Sequence, residues 1–460
     1  MRDKSASFLT RLEIKMDSTD QMTPEKRRYF RKVIASALVG NMLEFYDLFI
    51  YGFLAVYIAQ VFFPSSDPFT SLLLTLATFG VSYFIRPIGA LFIGSYADRH
   101  GRKAGMMLTI WSMGLGTAMI AFAPSHAAIG IGGTLILVAG KFIQGFSAGG
   151  EFGTSVSFVT EHAPRDRRGY FASFQVVGIG LATGMASIVS LMLTRSLDTI
   201  SIVEWGWRLP FILGLAIVPF GYWLRSGLDE TPEFAKAEAV ASPVATTLAS
   251  TKARIGAAIG MYSLAASTNY LLGVFIPLYA QRELGMSPAD SMWGALGYSI
   301  AQIFLPPVFG AMSDRVGRLK MIVLGTLLTG VFCIPAFRWM NAMPTVAVYV
   351  SCVTGLTACV MVFQGAMPSF LAELFPSSVR TTGLALIHNL NFTVVGGLSL
   401  LICTWLAQQT GSKFIPAYYV MTTVAIALVC TFYFRRKLGG HRMEESVTKK
   451  NAAAVGGNYS

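Results

Sequence analysis

The stretch Gly94–Arg102 reads GSYADRHGR, and Gly310–Arg318, which lies 216 residues further on, reads GAMSDRVGR. Both stretches share the pattern Gly-x-x-x-Asp-Arg-x-Gly-Arg. The first glycine allows two helices to approach closely, and the second permits a tight turn between them. A carboxylate beside arginines in such a turn can pair in one conformation and separate in another. We therefore predict two helix–turn–helix units that act as a conformational latch, formed by Gly94, Asp98, Arg99, Gly101, Arg102, Asp314, Arg315, Gly317 and Arg318.

A second pair of stretches repeats at a similar distance. Glu161–Arg168 reads EHAPRDRR and Glu373–Arg380 reads ELFPSSVR, so each has a proline three residues and an arginine seven residues after the glutamate. Two independent matches near half of the chain length indicate a duplication. We predict two bundles of six helices at 33–225 and 253–437, a cytoplasmic linker at 226–252, and cytoplasmic tails at 1–32 and 438–460. The predicted latch then also includes Glu161, Arg168, Glu373 and Arg380.

The composition of the chain is that of a membrane protein. Of its 460 residues, 53% are hydrophobic and only 13% are charged. A soluble protein usually carries about 25% charged residues. The apolar segments divide into twelve spans, so we predict an all-α polytopic protein with twelve transmembrane helices in two pseudo-symmetric six-helix bundles within a lipid bilayer. The five cysteines lie in these spans without metal or disulfide spacing, and we expect them to be buried apolar groups.

The positive charges indicate the orientation of the spans. The net charge is +12, and 29 of the 36 Lys and Arg residues fall in the termini and in alternate loops on one side. Four fall on the other side, and three lie inside or at the edge of spans. The positive-inside rule therefore predicts cytoplasmic N and C termini. The basic balance is explained by topology, and we expect no nucleic-acid binding.

The first span contains two carboxylates in apolar surroundings. Its stretch Gly40–Asp47 reads GNMLEFYD. A carboxylate near the bilayer centre costs about 2.5–3.5 kcal/mol on insertion scales, so it indicates a functional site. At 100° per residue, Asn41, Glu44, Asp47 and Tyr51 fall within an arc of about 120°. This polar stripe requires water or a charged partner from elsewhere in the chain.

Two cations in later spans can supply that partner. Arg86, about ten residues from the cytoplasmic end of the second span, is too deep to reach the interface easily. In the fourth span Lys141, Gln144 and Glu151 share one helical face. We predict that Arg86 and Lys141 oppose the carboxylates of the first span or bind an anionic ligand. An alternative for Arg86 is that it satisfies backbone carbonyls near the following proline.

Neutral polar and aromatic side chains complete the candidate site. Gln175 and Arg208 come from the fifth and sixth spans, although Arg208 beside two tryptophans also fits an interfacial anchor. The second half contributes Asn269, Tyr270, Gln364, His388 and Asn391. Each of these residues taken alone is more often an interhelical hydrogen bond than a ligand contact. His388 could titrate near neutral pH, but a histidine at a helix contact is the favoured interpretation.

The motifs together resemble the major facilitator superfamily over the whole chain. Gly40–Asp47, the Arg-Pro-Ile-Gly at 86–89, the Gln-Gly-Phe-Ser-Ala-Gly-Gly-Glu at 144–151 and the Trp-Gly-Trp-Arg at 205–208 resemble its bacterial metabolite:proton symporters. The region 376–416 looks most like citrate and tricarballylate carriers. The resemblance implies a multi-pass protein of the bacterial inner membrane that carries a small organic anion with protons. Many family members have Arg where this chain has Lys141, which keeps the charge and loses bidentate geometry.

We therefore expect a secondary active transporter that imports a di- or tricarboxylate by proton symport and alternating access. Asp47 is the predicted proton site, with Glu44 and Glu151 as further coupling residues. The predicted substrate-binding residues are Arg86, Lys141, Gln144, Asn41, Tyr51, Gln175, Arg208, Asn269, Tyr270, Gln364, His388 and Asn391. In this scheme a proton on Asp47 releases Lys141 or Arg86 from an ion pair to meet the anion.

Other function classes remain as alternatives. A symporter for 2-oxoglutarate, shikimate or an osmolyte, or an efflux antiporter, would have the same fold. Gly145–Gly149 reads GFSAG and matches the hydrolase pattern Gly-x-Ser-x-Gly, but no strand precedes it. The sequence holds no metal cluster, phosphate-binding loop or catalytic triad. We expect no enzyme activity, no metal, no cofactor and no obligatory protein partner.

Overall fold

The computed structural model describes residues 24–230 and 243–437 of the chain. Residues 1–23 of the predicted tail 1–32, the predicted tail 438–460 and residues 231–242 of the predicted linker lie outside the described residues. Within the described residues, twelve helices are long and apolar enough to cross a membrane. They are α1 (Arg28–Phe53), α2 (Pro68–His100), α3 (Arg102–Ala121), α4 (Ile131–His162), α5 (Arg165–Ser196), α6 (Arg208–Ser226), α7 (Ala253–Glu283), α8 (Pro288–Val316), α9 (Arg318–Ala342), α10 (Val346–Glu373), α11 (Ser377–Thr410) and α12 (Ile415–Lys437).

Several of these helices begin with recognisable caps. The Asp67 carboxylate accepts hydrogen bonds from the backbone N–H groups of Phe69 and Thr70 at the start of α2. Ser287 and Thr345 cap α8 and α10 in the same way. The Thr70 hydroxyl and the two backbone donors lower the pKa of Asp67, which lies in the loop before α2. Asp67 therefore stays ionised at the mouth of the bundle.

Some helices change their winding along their length. The helix that contains α1 begins at Pro24 and breaks at Leu54, and Ala55–Phe62 continues it. α7 contains a π-helical segment at Asn269–Phe275, and α11 contains one at Phe392–Gly397. π-helical segments occur frequently at functional sites, because the extra residue redirects the side chains that follow. Both segments adjoin residues that the sequence singles out as candidate ligands.

The two halves repeat the same local geometry, as the sequence motifs predict. Gly101 between α2 and α3 has φ 107°, and Gly317 between α8 and α9 has φ 110°. Such a conformation is unfavourable for residues with a Cβ atom. α5 and α11 both begin with a 3₁₀ turn, at Arg165–Arg167 and Ser377–Val379. The halves meet where α2 packs on α11 and where α8 packs on α5. These two contacts are equivalent, because α8 and α11 are the second-half counterparts of α2 and α5.

Small residues allow the helices of the first half to pack closely. A Cβ atom on Gly145 would lie 2.1 Å from the backbone oxygen of Ser82, and one on Gly149 would lie 2.3 Å from that of Arg86. α4 therefore packs against α2 backbone to backbone. This contact brings Arg86 of α2 close to the polar face of α4.

The helix boundaries differ slightly from those expected from the sequence. The first helix begins at Pro24, whereas the first bundle was expected to begin at residue 33. The helix that leads into α7 begins at Pro243, inside the predicted linker 226–252. Both extensions are polar, and hydropathy alone cannot distinguish a helix that leaves the membrane from a loop.

Replacing Gly89 with Ala should destabilise the fold, because the new Cβ atom would lie 2.1 Å from the backbone oxygen of Phe146. Overpacking of this kind costs typically 1–3 kcal/mol. Thermal unfolding in detergent micelles would measure the loss. Gly355→Ala is the matched control, because Gly355 is an exposed helical glycine with no atom near its Cβ position. Equal stability of the two variants would contradict the proposed packing.

Candidate functional site

A buried hydrogen-bond network connects Asp47 of α1 with Lys141 of α4. One Asp47 oxygen, Oδ2, accepts hydrogen bonds from the Thr117 hydroxyl and from Nε2 of Gln144 at 2.8 Å. Oε1 of Gln144 in turn accepts a 3.1 Å hydrogen bond from Nζ of Lys141. That Nζ atom lies 4.1 Å from the centroid of the Tyr51 ring. All five side chains are buried.

This network corrects one prediction. The sequence suggested that Asp47 would form an ion pair with Lys141 or Arg86. In the part of the chain that the structure describes, no ion pair within 4.0 Å involves Asp47 or Lys141. The amide of Gln144 lies between the two charges. The helical spacing placed Gln144 and Lys141 on one face, but it could not show which of them reaches Asp47.

Glu44 and Arg86 form the ion pair that the sequence predicted between α1 and α2. Nη1 of Arg86 lies 2.9 Å from Oε1 of Glu44, and the side chains are 3% and 4% exposed. The guanidinium also lies 4.3 Å from the centroid of the Tyr83 ring. Arg86 is therefore already neutralised by a carboxylate of its own half. A buried pair of this kind is costly to break, because one charge would remain uncompensated.

Glu151 lies in a separate ion pair. Its carboxylate pairs with the guanidinium of Arg225, at the end of α6, and accepts a hydrogen bond from the Thr109 hydroxyl. Arg225 is fully buried. Sequence reasoning missed Arg225, because an arginine at the end of a span is ordinarily read as part of the positive-inside pattern. The buried Glu151 was the signal that a cation was needed, and the one on its own helix, Lys141, does not pair with it.

Asn41 and Gln175 bind each other. The Asn41 amide donates to the backbone oxygen of Gln175 and accepts a 2.9 Å hydrogen bond from the Gln175 amide. The Ser155 hydroxyl donates to the side-chain oxygen, Oε1, of Gln175. These two predicted ligand residues therefore join α1 to α5 in this structure, and their role in substrate binding is not supported by their contacts.

Arg208 is not part of the central site. Its guanidinium lies 4.4 Å from the centroid of the Trp207 ring and donates to the backbone oxygens of Ala123 and Glu204. It is partly exposed beside the connections at one end of the bundle. These contacts do not support the prediction that Arg208 binds substrate. The side chain serves as the interfacial anchor that was the alternative.

The second half places aromatic side chains opposite the charged pairs. The Tyr270 ring packs edge to face on Tyr83, with centroids 5.3 Å apart. His388 stacks between Phe152 of α4, at 3.9 Å, and Phe392 of α11, at 4.0 Å. Its Nδ1 atom lies 3.1 Å from the Tyr262 hydroxyl. His388 is therefore buried at the contact between the halves, as the favoured interpretation predicted.

Several polar atoms of this region have no hydrogen-bond partner among the described residues. Asn269 accepts hydrogen bonds from Tyr298 and Gln302, and Asn391 donates to the backbone oxygen of Ile259. Buried polar atoms without partners are rare, and at a binding site they can receive a ligand. The unpartnered atoms include Asp47 Oδ1, Gln302 Oε1, Gln364 Nε2, His388 Nε2, Asn389 Oδ1 and Asn391 Oδ1.

The predicted latch closes one end of the bundle, which we call the latch end. Asp98 of α2 accepts hydrogen bonds from the backbone N–H of Thr382, at 3.0 Å, and from its hydroxyl, at 2.6 Å. A Cβ atom on Gly94 would lie only 3.2 Å from the Cα atom of Thr382. Asp314 of α8 accepts 2.9 Å hydrogen bonds from the backbone N–H groups of Gly169 and Tyr170. Each carboxylate thus binds the first turns of a helix in the other half.

Arginines connect these carboxylates with the second repeated motif. Glu161 pairs with Arg102, at 3.2 Å, and with Arg380 of the other half, at 3.0 Å. Arg102 also donates to the backbone oxygen of Ser377. In the second half Arg318 pairs with Asp314 at 2.6 Å and with Glu373 at 3.2 Å. Arg99 and Arg315 occupy equivalent exposed positions, and Arg168 lies at the start of α5.

The opposite end of the bundle contains a cleft between the halves. The cleft has a volume of about 740 Å³. Its lining includes Gln60, Asp67, Phe69 and Ser71 on one side and Leu278, Gln281 and Arg282 of α7 on the other. The structure is therefore closed at the latch end. At the opposite end the cleft separates the halves near the surface, and Asp47, Tyr51 and Lys141 remain buried.

Replacing Glu44 with Gln should destabilise the protein by about 3–5 kcal/mol, because Arg86 would remain buried without a counter-charge. Thermal unfolding in detergent micelles would measure this loss. The double variant Glu44→Gln/Arg86→Gln should recover part of it, because no uncompensated charge remains. Asp198→Asn, an exposed helix cap, is the control. A stable single variant would contradict the importance of the pair.

Replacing Asp98 with Asn should shift the protein towards a state that is open at the latch end, because the charge-assisted hydrogen bonds to Thr382 are weakened. A cysteine at Ser157, which is buried against Thr381 of the other half, would report the opening. In a background without the native cysteines we expect at least threefold faster labelling of this cysteine. Asp67→Asn, at the cleft end, should leave the labelling rate unchanged.

Comparisons with known proteins agree with this architecture. The family model for sugar and other transporters matches residues 33–252, and that for the Major Facilitator Superfamily matches residues 258–456. A citrate-proton symporter from Klebsiella pneumoniae is 36% identical, over 86% of this chain and 90% of its own length. The glycine betaine/proline/ectoine/pipecolic acid transporter OusA from Dickeya dadantii is 31% identical, over 93% and 87%.

The fold is also found among solved structures. The proton:xylose symporter XylE superposes with a TM-score of 0.74, over 90% of this chain and 96% of XylE, at 15% identity. The relatives and the fold are those of transporters and not of enzymes. With twelve apolar helices in two repeated halves and relatives above 30% identity along most of its length, this chain belongs to the major facilitator superfamily.

Proposed function

We propose that this protein imports a small organic anion, a di- or tricarboxylate of the citrate class, by symport with protons. The observation that carries the proposal is Lys141, a buried ammonium with no carboxylate within 4.0 Å among the described residues. Arg86 and Arg225, by contrast, each have a carboxylate of their own. A substrate carboxylate would give Lys141 the counter-ion that the protein does not supply.

Asp47 is the proposed proton site. It is fully buried, it makes no ion pair within 4.0 Å among the described residues, and its Oδ1 atom has no hydrogen-bond partner there. A proton on this carboxyl would remove the negative charge that competes with the substrate for Lys141. Proton and anion would therefore favour each other's binding, which is the thermodynamic requirement for symport.

We infer a route to this pair from the cleft. Ser71 lines the cleft, and its backbone oxygen accepts a hydrogen bond from the Thr75 hydroxyl one turn further along α2. The Tyr51 hydroxyl binds the backbone oxygen of Thr75, and the Tyr51 ring lies against Lys141. We infer that the anion enters through the cleft and passes Tyr51 to reach Lys141. The halves then rock about the site, and the latch opens to release the anion and the proton.

The orientation of this cycle follows from the basic residues. The many Lys and Arg residues of the loops lie at the latch end, together with both ends of the described chain. We propose that the latch end is cytoplasmic and that the cleft opens outward across a bacterial inner membrane. Import then runs from the cleft to the latch. The bodies that move are the proposed bundles, 33–225 and 253–437, joined by the linker 226–252.

A second candidate is a symporter for an osmolyte such as betaine. The observation that favours it is the aromatic cluster of Phe79, Tyr83 and Tyr270, because aromatic cages bind quaternary ammonium groups. The faces of two nearby rings, however, are already covered by protein cations, Tyr83 by Arg86 and Tyr51 by Lys141. This arrangement would repel a cationic group, so the anion is the better-supported substrate.

Uptake into proteoliposomes, driven by an inward proton gradient, would test both candidates. We expect labelled citrate or tricarballylate to accumulate and betaine not to, with alkalinisation of the external medium during uptake. Acidification during uptake would indicate exchange of the substrate for protons and would contradict symport. Accumulation of betaine alone would support the osmolyte candidate instead.

Two substitutions separate the proposed roles. Asp47→Asn should abolish accumulation driven by the proton gradient while citrate exchange continues, because the anion site remains but the proton site is lost. Lys141→Met should lower both uptake and exchange at least tenfold, because the anion loses its counter-ion, with Lys413→Met at the exposed cleft end as the control. Retained accumulation by Asp47→Asn would overturn the assignment of the proton site.

A further inference from the structure

We propose that Gln144 is a positioning residue that connects the charge of Asp47 with the position of Lys141. In this view Gln144 holds the ammonium away from the substrate position until Asp47 takes up a proton. This inference rests on the proposed function and adds the element through which proton and anion communicate. It also reassigns Gln144, which the sequence suggested as a direct ligand.

The chemistry of the two neighbours fixes the orientation of the Gln144 amide. A lysine ammonium has three donors and no acceptor, so the amide oxygen must face Lys141. The 3.1 Å contact between Nζ and Oε1 has this arrangement. The amide nitrogen then faces Asp47, at 2.8 Å, and the Thr117 hydroxyl, at 3.0 Å. The oxygen and the nitrogen of the rigid Gln144 amide are therefore both hydrogen-bonded, and a change in the bond to Asp47 affects the bond to Lys141.

The strength of the contact with Asp47 depends on the charge of the carboxyl group. A hydrogen bond to an ionised acceptor is roughly twice as strong as one between neutral groups. Oδ2 already accepts from Thr117 and Gln144, whereas Oδ1 has no partner among the described residues. Gly214 of α6 leaves room beside Oδ1 because it has no side chain. A Cβ atom on Gly214 would lie only 2.8 Å from Oδ1. A proton can therefore bind Oδ1 while Oδ2 becomes a neutral, weaker acceptor.

The position of Lys141 follows from this weakening. The ammonium is held by the Gln144 oxygen and by the face of the Tyr51 ring. When Gln144 loses its anchor on ionised Asp47, the amide can turn and the ammonium can exchange its oxygen for a substrate carboxylate. A direct buried pair between Asp47 and Lys141 would be much stronger, by Coulomb's law in a low dielectric. The intervening amide keeps the hold on Lys141 weak enough for a substrate to displace it.

The other charged side chains around Asp47 already form ion pairs with one another. α2 contributes Arg86, which pairs with Glu44 of α1 itself. α4 and α6 contribute Glu151 and Arg225, which pair with each other.

The uncharged titratable groups nearby are tyrosines of α1 and α7. The Tyr46 hydroxyl donates to the backbone oxygen of Pro210, and the Tyr270 ring packs on Tyr83. The described contacts therefore leave Gln144 as the hydrogen-bonded connection between Asp47 and a cation without a carboxylate partner.

Citrate binding to the purified full-length protein in lipid nanodiscs, measured by calorimetry at pH 6 and pH 8, would test the proposal. The wild type should bind at least tenfold tighter at pH 6, because protonated Asp47 releases Lys141. Gln144→Leu removes the hydrogen bonds to Asp47, Thr117 and Lys141 while filling a similar space. We expect it to bind citrate at pH 6 within about threefold of the wild type, and the ratio between the two pH values to fall below about threefold.

Two results would overturn the proposal. A Gln144→Leu variant that keeps the wild-type ratio would show that Gln144 carries no coupling. A loss of affinity that is equal at both pH values would show that Gln144 is a direct substrate ligand. Gln408→Leu, at the exposed cleft end, should behave as the wild type.

A second measurement needs no substrate and separates this proposal from the proposed function. The C=O stretch of protonated Asp47, identified by its loss in Asp47→Asn, can be followed by infrared difference spectroscopy. Introduced into the otherwise wild-type protein, Lys141→Met should shift the frequency of this band. Introduced into the Gln144→Leu variant, the same substitution should shift it by less than half as much. Equal shifts in the two backgrounds would overturn the proposed role of Gln144. A reduced shift in the Gln144→Leu background, combined with a wild-type protein that does not bind citrate, would support the role of Gln144 and overturn the proposed substrate.

Discussion

The structure depends on one constraint, which is that a charge inside the membrane must find its partner inside the protein. The first half satisfies it with two ion pairs, Glu44 with Arg86 and Glu151 with Arg225, that join different helices. These pairs fix how α1, α2, α4 and α6 are arranged. Asp47 and Lys141 are the exception, because an uncharged amide separates them. This exception is the basis on which we propose that the pair binds a proton and an anion.

The halves have different tasks despite their common origin. The first half holds the buried charges of the central site, whereas the second half presents tyrosines, amides and a stacked histidine to them. The latch, by contrast, is shared almost equally. Asp98 binds the start of α11 and Asp314 binds the start of α5, so the same helix-terminal interaction is made twice with the halves exchanged. Duplication thus preserved the mechanical contacts, while the binding chemistry diverged.

Part of the fold and of the candidate site was predictable from the sequence. Hydropathy gave the twelve spans, the repeated motifs gave the two halves and the latch, and the cost of a buried charge singled out Glu44 and Asp47. The pairing of Arg86 with Glu44 was also expected. Arg225 was missed because nothing local distinguishes it from a topological arginine, and Arg208 was assigned to the site although it binds backbone oxygens near the surface.

The sequence by itself determined which residues must be satisfied within the membrane, because charge and hydropathy are properties of each residue and its near neighbours. Only the tertiary structure decided which partner satisfies each one. Helical periodicity gives the direction of a side chain but not its reach across a helix contact. Asn41 therefore binds Gln175, Glu151 binds Arg225, and Gln144 lies between Asp47 and Lys141. These choices depend on how closely α1, α4 and α6 pack. That closeness is determined jointly by glycines that lie far apart in the chain.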